Sequence, residues 1–216
     1  MDLEKWTSIW EAGVLHFHQS SVSTALDDFG DQLFDPDKPG RVYVPLCGKS
    51  LDLVFLAERS TEVLGVEFVE QAVKEFFAEQ DLTPEVETDP YPKYSATNYT
   101  LFATDFFNLT AEHLGPIDLV FDRAAMVALD DETRVRYAEH WKSLLPLGAR
   151  LVAVTFDYDQ DELAGPPFAV STEEVERLYA DDFSIKLLDT RDVLNNEFRS
   201  QGVTEMTESL LVLTRV

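Results

Sequence analysis

The stretch Val42-Tyr43-Val44-Pro45-Leu46-Cys47-Gly48-Lys49-Ser50, followed by Val63-Leu64-Gly65-Val66-Glu67, constrains this chain more than any other. It reads as a buried strand, a tight turn that opens a helix, and a second buried strand ending in a carboxylate. Nucleotide-binding α/β folds use this arrangement to bring a backbone loop to a ligand and an acid to its ribose hydroxyls. The dinucleotide fingerprint needs three glycines in the turn, and only Gly48 is present here. The pattern points to a nucleoside-containing ligand and away from an ordinary NAD site.

The rest of the chain extends the alternation. Residues 3–12 have amphipathic helical spacing, with Trp6 and Trp10 one turn apart on one face, and a second helix is predicted over 22–34. The cluster Asp35-Pro36-Asp37-Lys38-Pro39-Gly40 is a turn. Strand, helix and strand follow at 41–46, 49–59 and 62–67, then a helix from Val69 to Gln80 with Val73, Phe76 and Phe77 inward. Thr83 to Ala96 is rich in Pro and Glu and reads as a surface loop. Further strands are predicted at 99–103, at 117–121 ending in Asp122-Arg123, and at 150–155, with a helix from Asp131 to Leu145 before the last. Gly165-Pro166-Pro167-Phe168 is a rigid loop, and Ser171-Thr172-Glu173-Glu174 starts a helix with a hydroxyl cap and early acids. Strands near 184–190 and 208–214 have no clear helix between them and suggest an antiparallel hairpin. Strands alternating with helices give an α/β class: a largely parallel sheet with helices on both faces. No repeat or second domain breaks the pattern, so 1–216 reads as a single domain.

Composition narrows the function classes. The net charge is −24, from 41 acids against 17 bases, and the excess is spread along the chain. Such a surface repels nucleic acid phosphates and anionic membranes, so no nucleic acid or membrane partner is expected. It also opposes self-association, and a monomer is expected. One use for the charge is solubility where salt screens self-repulsion. No apolar run approaches the ~20 residues that span a bilayer, and Met1 to Trp10 lacks the apolar centre of a signal peptide. Cys47 is the single cysteine, which leaves no intramolecular disulfide or thiolate zinc cluster. A cytoplasmic location is the expectation.

Ligands of open α/β sheets bind beyond the carboxyl ends of the strands. The candidates there are Leu46 to Gly48, Glu67, Thr104-Asp105-Phe106 and Asp122-Arg123. Gly48 lets backbone approach closely, and Glu67 suits two vicinal ribose hydroxyls. Asp105 and Phe106 suit the edge and face of an adenine. Each alone is equally a helix cap or a packing residue; their shared sheet edge favours a ligand. No nucleophile elbow, zinc-binding His-Glu-x-x-His or complete P-loop is present. Lys49-Ser50 imitates the end of a P-loop, but Tyr43 stands where its first Gly would be. His16, His18, His113 and His140 form no metal-ligand spacing, so no metal is expected. With no covalent machinery, the reactivity is expected to reside in a cofactor.

The chain resembles the thiopurine S-methyltransferase family along nearly its whole length. The matches are Trp6-x-x-x-Trp10, Phe17-His18-Gln19, Pro45-Leu46-Cys47-Gly48-Lys49, Gly65-Val66-Glu67, Glu75-Phe76-Phe77, Asp122-Arg123 with Ala125, and Gly165-Pro166-Pro167-Phe168. The resemblance implies a Rossmann-like class I methyltransferase fold, with a seven-stranded, mostly parallel sheet whose last strand is antiparallel. It further implies S-adenosylmethionine as cofactor and an amino-terminal helical cap, residues 1–34, acting as a lid. Carried over residue by residue, it places Trp10, Phe17, Leu46, Gly48, Glu67, Asp105, Phe106 and Arg123 at the cofactor, and Phe17 and Arg123 also at the substrate. No residue is implied as a general acid or base; Arg123 either stabilises a thiolate or braces the pocket.

The implied activity is methyl transfer to the sulfur of a small, thiopurine-like thiol. One departure bears on the acceptor. In the family pattern a basic residue about five positions before the late Gly faces substrate; counting back from Gly202, this chain has Glu197, with Arg199 nearby. That change favours small or neutral thiols, or selenium and tellurium species. Methylation of thiocyanate or halide, and a catalytically silent S-adenosylmethionine-binding protein, stay open as alternatives.

Overall fold

The computed structural model describes residues 6–8, 10, 19–35, 37 and 39–216. The chain divides into two compact units, Asp2–Leu119 and Val120–Val216.

In the first unit, helix α1 (Thr24–Leu33) buries Ala25, Leu26, Gly30 and Leu33, the face that helical spacing puts together. Strands β1 (Arg41–Pro45) and β2 (Glu62–Glu67) carry almost wholly buried residues. That is why they read as unbroken apolar runs: a central parallel strand is covered on both faces. Helix α2 (Asp52–Ala57) follows β1 and helix α3 (Glu70–Glu79) follows β2. Three more strands, β3 (Glu85–Glu87), β4 (Lys93–Ala96) and β5 (Tyr99–Ala103), precede the short helix α4 (Ala111–Leu114). The order is β3-β4-β5-β2-β1. β2 is parallel to both β1 and β5, whereas β4 is antiparallel to β3 and β5. Helix α3 seals the sheet with Ala72, Val73, Phe76 and Phe77. Phe76 meets Tyr99 edge-on at 5.2 Å, and Phe77 stacks near Tyr94 at 6.3 Å. Each buried Phe contributes roughly 1.5–3 kcal/mol of transfer free energy.

In the second unit the strands are β6 (Leu119–Arg123), β7 (Arg150–Asp157), β8 (Phe183–Asp192) and β9 (Thr207–Arg215), in the order β6-β7-β9-β8. β9 runs antiparallel to β7 and to β8, with a register shift between Leu187 and Asp189. The expected antiparallel pairing of the two late strands and the antiparallel last strand are present, but a short helix at Asn196–Ser200, which the sequence reading did not expect, lies between those strands. Helices α5 (Asp131–Leu144), α6 (Thr172–Tyr179) and α7 (Asn196–Ser200) complete the unit. The Ser171 hydroxyl accepts the Glu174 N–H at 3.2 Å, so the cap read from sequence forms.

The described residues form nine strands, not seven, in a mix of parallel and antiparallel pairs. Two of them, β3 and β4, come from the Thr83–Ala96 segment expected to be a loop. Edge strands carry charge and tolerate nearby Pro, because one side of the ladder has no partner. Every residue of β3 is exposed, so the segment lacks the apolar run that marks a central strand. The helix predicted over 49–59 is also shorter, because Gly48, Lys49 and Ser50 belong to the preceding turn.

Candidate functional site

The carboxyl ends of β1, β2 and β5 are brought level by register, with Pro45 opposite Val66 and Glu67 opposite Ala103. The chain leaves β1 through Leu46, a non-glycine residue in left-handed conformation at φ +46°, and Gly48 follows at φ +51°. Left-handed backbone costs a branched residue such as Leu on the order of 1–2 kcal/mol, and such strain clusters at functional sites. Between them Cys47 is buried and donates its N–H to Val66 O at 2.9 Å, which extends the β1–β2 ladder by one rung. Burial pushes the Cys47 thiol well up, and nearby Glu67 adds to this, so it is a neutral packing group.

Glu67 is 7% exposed. One carboxylate oxygen accepts the Gly48 N–H at 3.0 Å and the other accepts the Val69 N–H at 2.7 Å. Burial raises its pKa, while the N–H groups of Val69, Gly48 and Phe68 oppose that shift. A carboxylate has about four acceptor positions, so two N–H bonds leave capacity for a vicinal diol. Trp10 is helical and 5% exposed, packing with Val69, Ala72 and Phe68. A Cβ added to Gly48 would lie 3.3 Å from Trp10 Cζ2, a tight contact, and the left-handed φ favours glycine there. The structure thus brings Trp10, Gly48 and Glu67 into one cluster, with half-buried Leu46 beside it.

Asp105 and Phe106 follow β5. The Asp105 carboxylate accepts the Phe107 N–H at 2.9 Å and caps the turn Phe106–Asn108. Phe106 is 2% exposed, with its ring 6.5 Å from Tyr43 and 5.3 Å from Phe107. Lys49 pairs with Glu75 at 2.8 Å and Glu79 at 2.6 Å, so the P-loop imitation serves an ion pair to α3. Phe17 lies outside the described residues.

In the second unit Arg123 ends β6 and is half-buried. It lies in the field of Glu208, whose pKa is raised by burial and lowered by Arg191 and then Arg123. Arg191 and Glu208 are paired in the β8–β9 register. Asp122, one residue before Arg123, has no exposed surface. It accepts the Met126 N–H at 3.0 Å and the Tyr137 hydroxyl at 2.7 Å. The sequence marks Asp122, with Arg123, as a strand-end ligand candidate and part of a family motif, but does not show these bonds. The signal available was an acid followed by small residues, Ala124 and Ala125, where a chain turns sharply. Glu197, the departure from the family pattern, is exposed on α7.

Comparison with known proteins decides the family. The model of the thiopurine S-methyltransferase family matches residues 1–216. The chain belongs to the thiopurine S-methyltransferase family. It is 41% identical to the thiopurine S-methyltransferase of Nitrosospira multiformis, over 99% of this chain and 98% of that one. It is 42% identical to that of Bordetella petrii, over 100% and 99%. Among solved structures it is similar to Burkholderia thailandensis 1,6-didemethyltoxoflavin-N1-methyltransferase with bound S-adenosylhomocysteine. That match has a TM-score of 0.67 at 14% identity and covers 99% of this chain and 87% of that one. At that identity the likeness establishes the Rossmann-like methyltransferase fold. Membership in the thiopurine S-methyltransferase family makes the chain an S-adenosylmethionine-dependent S-methyltransferase. No helix among the described residues is long and apolar enough to cross a membrane.

Proposed function

We infer that the chain, acting as one methyltransferase domain over 1–216, transfers a methyl group from S-adenosylmethionine to the sulfur of a small thiopurine-like thiol. The observation that carries this is Glu67: a buried strand-end carboxylate, held by the Gly48 and Val69 N–H groups, with acceptor capacity to spare. A family model spanning the whole length supports the single domain. When bound, S-adenosylmethionine supplies a methyl on a cationic sulfonium, so charge is neutralised or dispersed as the acceptor sulfur takes it.

The chain's own residues bind, orient and exclude water. Glu67 accepts the ribose hydroxyls, and Leu46 to Gly48 offer backbone at close approach. Trp6 and Trp10 act as the lid; the burial of Trp10 against Val69 and its closeness to Gly48 support that role. Asp105 lies where an adenine edge would be read, and Phe106 backs it from the core. Arg123 and Phe17 line the acceptor. A guanidinium there favours the thiolate form, and an acidic heterocyclic thiol then needs no general base. Holding the reacting atoms in line supplies much of the remaining acceleration.

Titration calorimetry with S-adenosylmethionine and with NAD, followed by methyl-transfer assays on a thiopurine, tests the reading. S-Adenosylmethionine binds and NAD does not. Glu67→Gln weakens S-adenosylmethionine binding about 10-fold or more, the scale of losing a hydrogen bond to a charged group. Unchanged affinity in that variant removes the ribose assignment, and absence of cofactor binding in the wild type removes the function.

A further inference from the structure

We propose that Asp122 is a positioning residue: its buried carboxylate locks the turn from Arg123 to Ala128 and thereby sets both Arg123 and the Gly165–Phe168 loop. The inference rests on the reading of Arg123 as an acceptor-side residue.

The bonds of Asp122 converge on one short segment. Its side chain has no exposed surface, and its oxygens take the Met126 N–H at 3.0 Å and the Tyr137 hydroxyl at 2.7 Å. The Ala125 N–H also stabilises the carboxylate. Ala124, between Arg123 and these donors, sits at φ +63°. An alanine holds that conformation only when its surroundings over-determine it, and the bonds from Asp122 to the next two residues do so. The turn then closes into Met126–Ala128, with Ala128 N–H donating to Ala125 O at 2.9 Å. Val127 O in turn accepts the Phe168 N–H at 2.6 Å, and Tyr158 fixes the same loop by donating its hydroxyl to Pro167 O at 2.5 Å. One carboxylate therefore links the strand end that carries Arg123 to the Gly-Pro-Pro-Phe loop, a family motif to which no other role has fallen.

Core stability alone would not select an acid here. Removing a carboxylate from water is costly, and apolar residues of similar volume are often as stable or more so at such positions. What the acid adds is two oxygens that accept several donors from one turn and from α5. Its fixed bonds give Arg123 a fixed origin, one residue away.

A double-mutant cycle separates positioning from packing. Steady-state kinetics with S-adenosylmethionine and a thiopurine are measured for the wild type, Asp122→Asn, Arg123→Ala and the double variant, with a melting temperature for each. The expected result is that Asp122→Asn lowers kcat/KM for the thiopurine about 10-fold, while the same change made in Arg123→Ala costs less than about 2-fold. Calorimetric affinity for S-adenosylmethionine stays within about 3-fold of wild type in Asp122→Asn. Equal losses in both backgrounds, or no loss in either, overturn the proposal. An Arg123→Ala enzyme with unchanged kinetics instead removes the acceptor-side reading of Arg123 on which the proposal rests. If Asp122→Asn shows no cooperative melt, Tyr137→Phe, which removes one bond to the same carboxylate, is carried through the same cycle and must show the same non-additivity.

Discussion

A carboxyl group sealed in the core reports its surroundings through its proton, and Asp122 does so against its tyrosine neighbours. Burial raises its pKa from 3.8 to about 6, while the bonds from Met126, Tyr137 and Ala125 pull it down. The titratable groups facing it are Tyr137 on α5 and Tyr179 on α6, and both hydroxyls are held well above their ordinary range, by burial first and then by Asp122 among other groups. Because the folded value lies above the unfolded one, folding favours the protonated form. Its contribution is complete below about pH 4 and is lost as pH rises through about 6, on the order of 3 kcal/mol in all. Asn cannot titrate, so the stability of Asp122→Asn relative to wild type is expected to climb between about pH 4 and 6 and to level off above. Urea unfolding of both proteins from pH 4 to 8 measures this. A difference that stays flat across that range would show that the buried acid does not titrate there. Set beside the kinetic cycle, a variant equally or more stable at pH 7 but slower would carry the signature of a residue kept for geometry.

At the scale of elements, the Leu46–Gly48 loop depends on a residue of β2 set back from the strand's end. A Cβ on Gly65, in β2, would lie 2.8 Å from Cys47 Sγ and 2.6 Å from a methyl of Leu101. The Gly65-Val66-Glu67 motif therefore has two parts: Glu67 meets the loop at its end, and Gly65 makes room for the loop's buried thiol. Gly65→Ala is expected to destabilise by about 1–3 kcal/mol, the usual cost of overpacking. Adding Cys47→Ala should recover part of the loss in denaturant unfolding; a double variant no better than the sum of its parts would place the clash at Leu101 instead. This dependence also shows what a sequence exposes. β1, β2 and β5 were legible because burial on both faces leaves unbroken apolar runs, and Glu67 was legible because it stops one of them. β3 and β4 were not, since an exposed edge strand such as Glu85-Val86-Glu87 has the composition of a loop. Nor were the left-handed Leu46 and Ala124 or the bonds of Asp122, because they belong to tight turns whose backbone path has no apolar or periodic signature.

For the molecule as a whole, charge is the property that no single site explains. The acids outnumber the bases by 24, and many of the described bases are already engaged. Lys49 binds two acids of α3, and Arg41 pairs with Glu62 at 2.8 Å. Arg134, 2% exposed, binds Glu174 of α6, Asp131 and the Leu129 carbonyl. What remains over the surface is mostly like charge, and compaction brings it together. Mutual repulsion of this kind is long-ranged, and it weakens as the Debye length falls from about 30 Å at 0.01 M salt to about 8 Å at 0.15 M. The close pairs are short-ranged and half-buried, so salt screens them less. Repulsion therefore loses more than attraction does, and sodium chloride should raise the melting temperature, with most of the gain below about 0.3 M. A shift on the order of 5 °C corresponds to about 1–2 kcal/mol for a chain of this size. Melting followed across a sodium chloride series at constant pH checks this. A melting temperature that is flat or falls over the first 0.3 M, roughly the range in which screening acts, would mean that local ion pairs outweigh the net charge in setting stability.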